Sequence, residues 1–111
     1  MKFGYRPGDI IAELRGHRPP PEKNKHTHGR LEGCTFSPAG DRVVTTSWDR
    51  TIRVWCAETG ESLETLEGHS ETVYCCAFSP DGARIATGAE DRTVRTWQLA
   101  AYDASALPKL L

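Results

Sequence analysis

Apolar residues along the chain come in short runs, and tight-turn sequences separate one run from the next. The runs from Val73 to Phe78, Ala83 to Gly88 and Thr93 to Trp97 have the length and the β-branched or aromatic content typical of strands. Between the first two, Ser79-Pro80-Asp81-Gly82 places proline where its fixed φ suits a type I turn. A fourth strand is predicted from Ser62 to Leu66, and no helical spacing of apolar residues persists. The pattern predicts an all-β fold of antiparallel hairpins.

An internal repeat organises these elements. Three motifs recur 42 residues later (78 − 36, 91 − 49 and 97 − 55): Phe36-Ser37-Pro38 as Phe78-Ser79-Pro80, Asp49-Arg50-Thr51 as Asp91-Arg92-Thr93, and Trp55 as Trp97. Four antiparallel strands in about 42 residues is the size of one β-propeller blade. The repeat therefore predicts two blades in succession.

A second pair of segments shows where the first repeat has been lengthened. Gly8 to His17 resembles Gly60 to His69, but at an offset of 52 residues, ten more than the other motifs show. The extra residues must lie between His17 and Phe36, where the polar, proline-rich run 18–29 occurs. We interpret this run as a looped-out surface insertion.

The ordered series Gly68-His69, Phe78 to Gly82, Ala86-Thr87-Gly88, Asp91 to Val94 and Trp97 resembles the WD40 repeat family. The sequence departs from the family pattern after each tryptophan, where Cys56 and Gln98 replace the usual aspartate. The resemblance implies an incomplete propeller of two four-stranded antiparallel blades. We expect a partial blade or outer strand within residues 1–16, the first repeat at 17–67 with its insertion at 18–29, and the second repeat plus a C-terminal strand or tail at 68–111. The outer strand is expected near Ile10 to Arg15.

The family resemblance also implies a buried hydrogen-bonded tetrad in each blade, since a buried indole N–H needs an acceptor. The tetrad residues are His69, Thr87, Asp91 and Trp97 in the second repeat, and Thr45, Asp49 and Trp55 with a histidine in the first. His17 is favoured as that histidine because it belongs to a Gly-His pair, and His26 is the alternative. A hydrolase triad of Thr, His and Asp is disfavoured because the same trio occurs twice, each time with a tryptophan.

Trp48 is the most informative residue for function. Its counterpart 42 residues later is Glu90, so the repeat itself does not require an aromatic residue there. We expect an exposed turn, in which a tryptophan can anchor a partner. Family members commonly bind peptides on the narrow face, which implies the partner-binding positions Trp48, Glu90, Thr72, Tyr74, Arg30 and Glu32.

Composition narrows the range of functions. Lysine plus arginine number 14 and aspartate plus glutamate 15, so the net charge of −1 argues against a dedicated nucleic-acid binder. No apolar run approaches the roughly 20 residues of a membrane span, and the cysteines lack metal-ligand spacing, so neither a membrane, a metal nor a cofactor is expected. We expect a non-enzymatic scaffold that binds protein or peptide partners in the cytoplasm, with the nucleus as the alternative. The rival functions are a regulatory module of a larger enzyme and a chromatin-associated propeller.

Two blades pose a problem of completeness. A blade buries both faces against neighbours, and rings typically close with about 4 to 8 blades. Two blades alone leave two apolar faces in water, which mark an interface or an aggregation hazard. We therefore expect either a fragment of a longer propeller or a chain that self-associates through its exposed blade faces.

Overall fold

A computed structural model describes residues 4–17 and 30–102. Within these residues the chain forms seven strands: β1 (Leu31–Phe36), β2 (Arg42–Ser47), β3 (Ile52–Cys56), β4 (Ser62–Leu66), β5 (Val73–Phe78), β6 (Arg84–Ala89) and β7 (Val94–Gln98). They make two sheets, ordered β1-β2-β3-β4 and β5-β6-β7, in which every neighbouring pair is antiparallel. The all-β, antiparallel prediction is confirmed.

Each sheet begins with a hairpin built on a Ser-Pro-x-Gly turn. Gly40 and Gly82 adopt φ of 76° and 72°, a region that favours glycine because it has no Cβ. In both turns the serine hydroxyl accepts the backbone N–H that starts the next strand, from Arg42 to Ser37 and from Arg84 to Ser79, each at 3.0 Å. The repeated turn sequence thus produces the same hairpin twice.

The expectation of two four-stranded blades was wrong for the second blade, which has three strands in the described part of the chain. Ser62–Leu66 is a strand, as predicted, but it pairs with β3 of the first sheet, with Val54 opposite Glu64. Its counterpart 42 residues later is the range 104–108, which lies outside the described residues.

The expected outer strand at Ile10 to Arg15 is not a strand in the structure. A strand needs a ladder partner, and none of the described strands pairs with this segment. The segment instead passes beside the first sheet, where a Cβ added to Gly60 would lie 3.1 Å from the carbonyl oxygen of Glu13. Ile10 stays exposed.

The hydrophobic core lies between the two sheets. The buried residues Val44, Ile52 and Val54 of the first sheet form one cluster with Val73, Ile85 and Leu99 from the second part of the chain. Strand β5 lies against β1 and β2, so the second sheet covers one face of the first. Alternation along each strand assigns one set of side chains to this interface and the other set to the opposite face.

Candidate interaction surface

In the first repeat the structure brings the four expected tetrad residues into one chain of hydrogen bonds. The Trp55 Nε1–H donates to Thr45 Oγ1 at 2.8 Å. That hydroxyl lies 2.6 Å from His17 Nε2, and His17 Nδ1 lies 2.7 Å from Asp49 Oδ2. His17 therefore occupies the place for which His26 was the alternative, and His26 lies outside the described residues.

The second repeat contains the same network. Trp97 Nε1–H donates to Thr87 Oγ1 at 2.8 Å, and this hydroxyl lies 2.8 Å from His69 Nε2. His69 Nδ1 lies 2.9 Å from Asp91 Oδ2. Corresponding distances in the two repeats agree within 0.2 Å, so the ten-residue insertion does not alter the network of the first repeat.

The chemistry of these groups fixes the direction of each hydrogen bond. An ionised aspartate can only accept, so His17 carries its proton on Nδ1 and presents a bare Nε2. The Thr45 hydroxyl then donates to Nε2 and accepts from the indole. Burial opposes ionisation of Asp49, but hydrogen bonds from His17 and Thr51 outweigh it and lower the pKa of Asp49 to about 2. Each donor in the chain thus has one acceptor.

The networks also hold the turns between the second and third strands of each sheet. Asp49 Oδ1 accepts from the backbone N–H of Thr51 at 2.8 Å and from its hydroxyl at 2.6 Å. Asp91 and Thr93 make the same pair of bonds at 3.0 and 2.6 Å, and these bonds, with that from His69, lower the pKa of Asp91. The tetrad predicted from the sequence did not include these two threonines, although the repeated Asp-Arg-Thr triplet contains them.

The buried position of each hydroxyl argues against the hydrolase alternative. The Thr87 residue is only 1% exposed, and its oxygen is already bonded to both the indole and the imidazole. A nucleophile must reach its substrate, whereas this hydroxyl is enclosed by its own hydrogen-bond partners. The arrangement is suited to fixing side chains in place.

Directly beside the first network lies a small group of side chains around Trp48. The Trp48 backbone N–H donates to the Arg30 carbonyl at 2.9 Å, and the Arg30 guanidinium lies 5.4 Å from the centroid of the indole ring. The indole N–H donates to the Glu32 carboxylate. Trp48 was expected to be exposed but is half-buried, because these neighbours cover part of it.

The corresponding group in the second repeat contains Tyr74 and Glu90. Tyr74 is 46% exposed, and its hydroxyl donates to Glu90 Oε2 at 3.2 Å. Desolvation and the neighbouring Glu90 carboxylate raise the pKa of Tyr74, so the phenol stays protonated and keeps its donor. Thr72, expected in the partner-binding set, has a buried side chain and meets Glu90 only through its backbone carbonyl, at 2.9 Å. Thr72 thus offers no side chain to a partner.

The two groups are neighbours, because β1 and β5 approach closely at Gly33. A Cβ atom at Gly33 would lie 3.2 Å from the Tyr74 carbonyl oxygen, so a side chain there would force the strands apart. Five of the six expected partner-binding residues therefore form one surface patch. We call it the aromatic face, and its members are Arg30, Glu32, Trp48, Tyr74 and Glu90.

The described residues contain no other site of recognisable chemistry. Among them, no cluster of three His, Cys, Asp or Glu side chains could hold a metal ion. No helix in the described ranges has the length and apolarity needed to cross a bilayer. His28 and the triple proline of the insertion fall outside these ranges.

Two stacked antiparallel sheets, each with the same buried Trp-Thr-His-Asp network, define consecutive blade repeats of a β-propeller. The sequence profile of the family described as "WD domain, G-beta repeat" (WD40) matches residues 8–56 and 60–98. The chain belongs to this family. WD40 repeats are in general protein-interaction modules without enzymatic activity.

The chain is similar to short segments of several characterised proteins. It is 46% identical over 44 residues to "Dynein assembly factor with WD repeat domains 1" of Xenopus laevis, covering 40% of this chain and 11% of that protein. It is 49% identical over 41 residues to "WD repeat-containing protein pop1" of Schizosaccharomyces pombe, covering 37% and 5%. It is also 49% identical over 35 residues to "Mitogen-activated protein kinase kinase kinase A" of Dictyostelium discoideum, covering 32% and 4%. The chain thus matches about a tenth or less of each of these relatives.

Proposed function

We propose that this chain is a protein-interaction scaffold that binds its partner through the aromatic face. The observation that carries the proposal is the position of Trp48, a large aromatic residue in a turn that a buried network fixes through the adjacent Asp49. The equivalent position of the second repeat holds Glu90, so the repeat itself does not need the tryptophan. Tryptophan, tyrosine and arginine are the residues most enriched where binding energy concentrates.

The charges on the aromatic face suggest the chemistry of the partner. It carries one arginine and two glutamates, and each glutamate accepts a hydrogen bond from an aromatic side chain. A carboxylate beside an aromatic ring suits a cation, which can pair with the acid and lie over the ring. We propose a peptide segment that places a lysine or arginine on this face, next to an apolar residue that packs on Trp48 or Tyr74.

Affinity capture followed by reconstitution tests the proposal. Immobilised wild-type chain and the double variant Trp48→Ala/Tyr74→Ala would be compared by quantitative mass spectrometry, with Ile10→Ala as the control because Ile10 is exposed outside the aromatic face. A partner retained by the wild type and the control would then be purified and titrated calorimetrically. We expect at least a tenfold weaker Kd for the double variant, equivalent to about 1.4 kcal/mol. Equal affinity of the double variant would refute the proposal.

A regulatory module within a larger enzyme is the second candidate function. One similar protein is named as a kinase, and the match covers only 4% of its length. The reading frame on either side of this segment in its parent gene decides between the two, since a catalytic domain there would favour the regulatory module. A cytoplasmic location is also proposed, and imaging of a fluorescent fusion would test it against the nucleus.

A further inference from the structure

The contact between the two sheets shows what one repeat requires of the next. Arg42 of the first sheet donates from Nη2 to the Gly82 carbonyl at 2.7 Å, in the turn of the second sheet. Its guanidinium also lies 5.6 Å from the Phe78 ring centroid. Beside this contact, Val44 and Val54 are fully buried beneath the second sheet. An arginine, two apolar strand residues, a phenylalanine and a glycine carbonyl thus make up the joint.

The second sheet presents the same receiving face on its opposite side, but there it is open. The counterparts of Arg42, Val44, Ile52 and Val54, 42 residues later, are Arg84, Ala86, Val94 and Thr96. Arg84 and Thr96 are exposed, and Val94, whose counterpart Ile52 is fully buried, is 76% exposed. A mainly apolar cavity of about 230 Å³ opens here between Ala77, Ala86 and Thr96.

The first sheet presents the matching inserting face, and it is also uncovered. Phe36 is the counterpart of Phe78 and is 65% exposed, although a phenylalanine in the joint would be expected to pack. Val43 is the counterpart of the buried Ile85 and lies opposite both Phe36 and Trp55 in the sheet. Gly40 is the counterpart of Gly82, with φ of 76° against 72°.

We propose that a second copy of this chain docks on the open face of the second sheet, in the orientation that the first sheet has to the second. Arg84 of one copy would then take the part of Arg42, with Phe36 and the Gly40 carbonyl of the next copy as its partners. The occupant is a second copy because both halves of the joint, the receiving face and the inserting face, lie unused on the same chain. The contact is head-to-tail, so it closes into a ring when the rotation allows. With two blades per copy, rings of about 4 to 8 blades contain two to four copies.

A mixing experiment tests this proposal. Phe36→Asp blocks the inserting face and leaves the receiving face intact, whereas Val94→Arg blocks only the receiving face. Both residues are exposed, so neither change disturbs the core, and near-ultraviolet circular dichroism would verify that both variants fold. Light scattering coupled to size-exclusion chromatography at micromolar concentration should give a wild-type mass of at least twice the 12.3 kDa chain. Each variant alone should be monomeric.

The equimolar mixture of the two variants gives the decisive result. One intact receiving face meets one intact inserting face, and the remaining two are blocked, so the mixture should form dimers of twice 12.3 kDa and nothing larger. Tyr74→Arg, on the aromatic face, should assemble as the wild type does, which separates this proposal from the proposed function. A monomeric wild type would overturn the proposal and assign the open face to a different occupant. A mixture that stays monomeric, or single variants that assemble like the wild type, would overturn it too.

Discussion

Replacing Thr45 with valine isolates the energetic role of the first buried network. Valine keeps the shape and β-branching of threonine but removes the hydroxyl that joins Trp55 to His17. The change leaves the indole N–H without its acceptor and the imidazole Nε2 without its donor. Each orphaned buried polar group costs about 1–3 kcal/mol, so we expect a total loss of about 3 kcal/mol. Thr65→Val, at an exposed strand position, should change stability by less than about 0.5 kcal/mol.

Urea unfolding followed by tryptophan fluorescence measures this effect at one fixed protein concentration. For a denaturant slope of about 1–3 kcal/mol per molar, the midpoint should fall by at least about 1 M. Trp55→Phe removes the indole donor, so Thr45→Val should cost about 1 kcal/mol less in that background, and the double-mutant cycle reports the difference. If Thr45→Val were no more harmful than Thr65→Val, the hydroxyl would not stabilise the blade and the reasoning would fail.

Three further predictions concern pH, the tryptophans and the joint between the sheets. The pKa of Asp49 is lowered to about 2 from an ordinary 3.8, so it contributes about 2 kcal/mol that is present above pH 4 and lost as pH falls from about 4 to 2; acid titrations should show a weaker dependence in Asp49→Asn. Trp97→Ala should cost about 3 kcal/mol or more, whereas half-buried Trp48→Ala should cost under about 1 kcal/mol; equal losses of Tm would place Trp48 in the core. Arg42→Met removes the bond to the Gly82 carbonyl and should cost about 1–2 kcal/mol in urea unfolding, against less than about 0.5 kcal/mol for Arg84→Met in dilute protein.

The periodicity of the sequence carried most of the information about a single blade. Residues separated by a constant offset occupy the same place in successive repeats, so hairpins, turns and tetrad residues could be predicted together. The choice of His17 over His26 depended on the Gly-His pair, and the structure places His17 Nε2 2.6 Å from Thr45. What these networks contribute to stability and binding stays a prediction.

Contacts between blades could not be predicted in the same way. Arg42 and Arg84 are the same residue at the same place in the repeat, yet the first is buried and the second exposed. The difference arises because the second sheet covers Arg42, while no described residue covers Arg84 in that way. Periodicity defines what is equivalent, but exposure depends on which equivalent face has a neighbour. The same reason explains the outer strand wrongly expected at Ile10 to Arg15, which has no neighbouring strand to pair with among the described residues.

The spacing within the two tetrads explains how a proline-rich insertion can lie inside one of them. The histidine and threonine are 28 residues apart in the first network and 18 in the second, although their side chains meet at nearly the same distance. The entropy lost on closing a flexible loop grows only with the logarithm of its length, so lengthening it from 18 to 28 residues costs about 0.4 kcal/mol. That cost is far below the roughly 3 kcal/mol expected for the hydroxyl of Thr45. The segment between His17 and Arg30 can therefore change in length and sequence with little effect on folding, and a short peptide epitope could be inserted there while both networks stay intact.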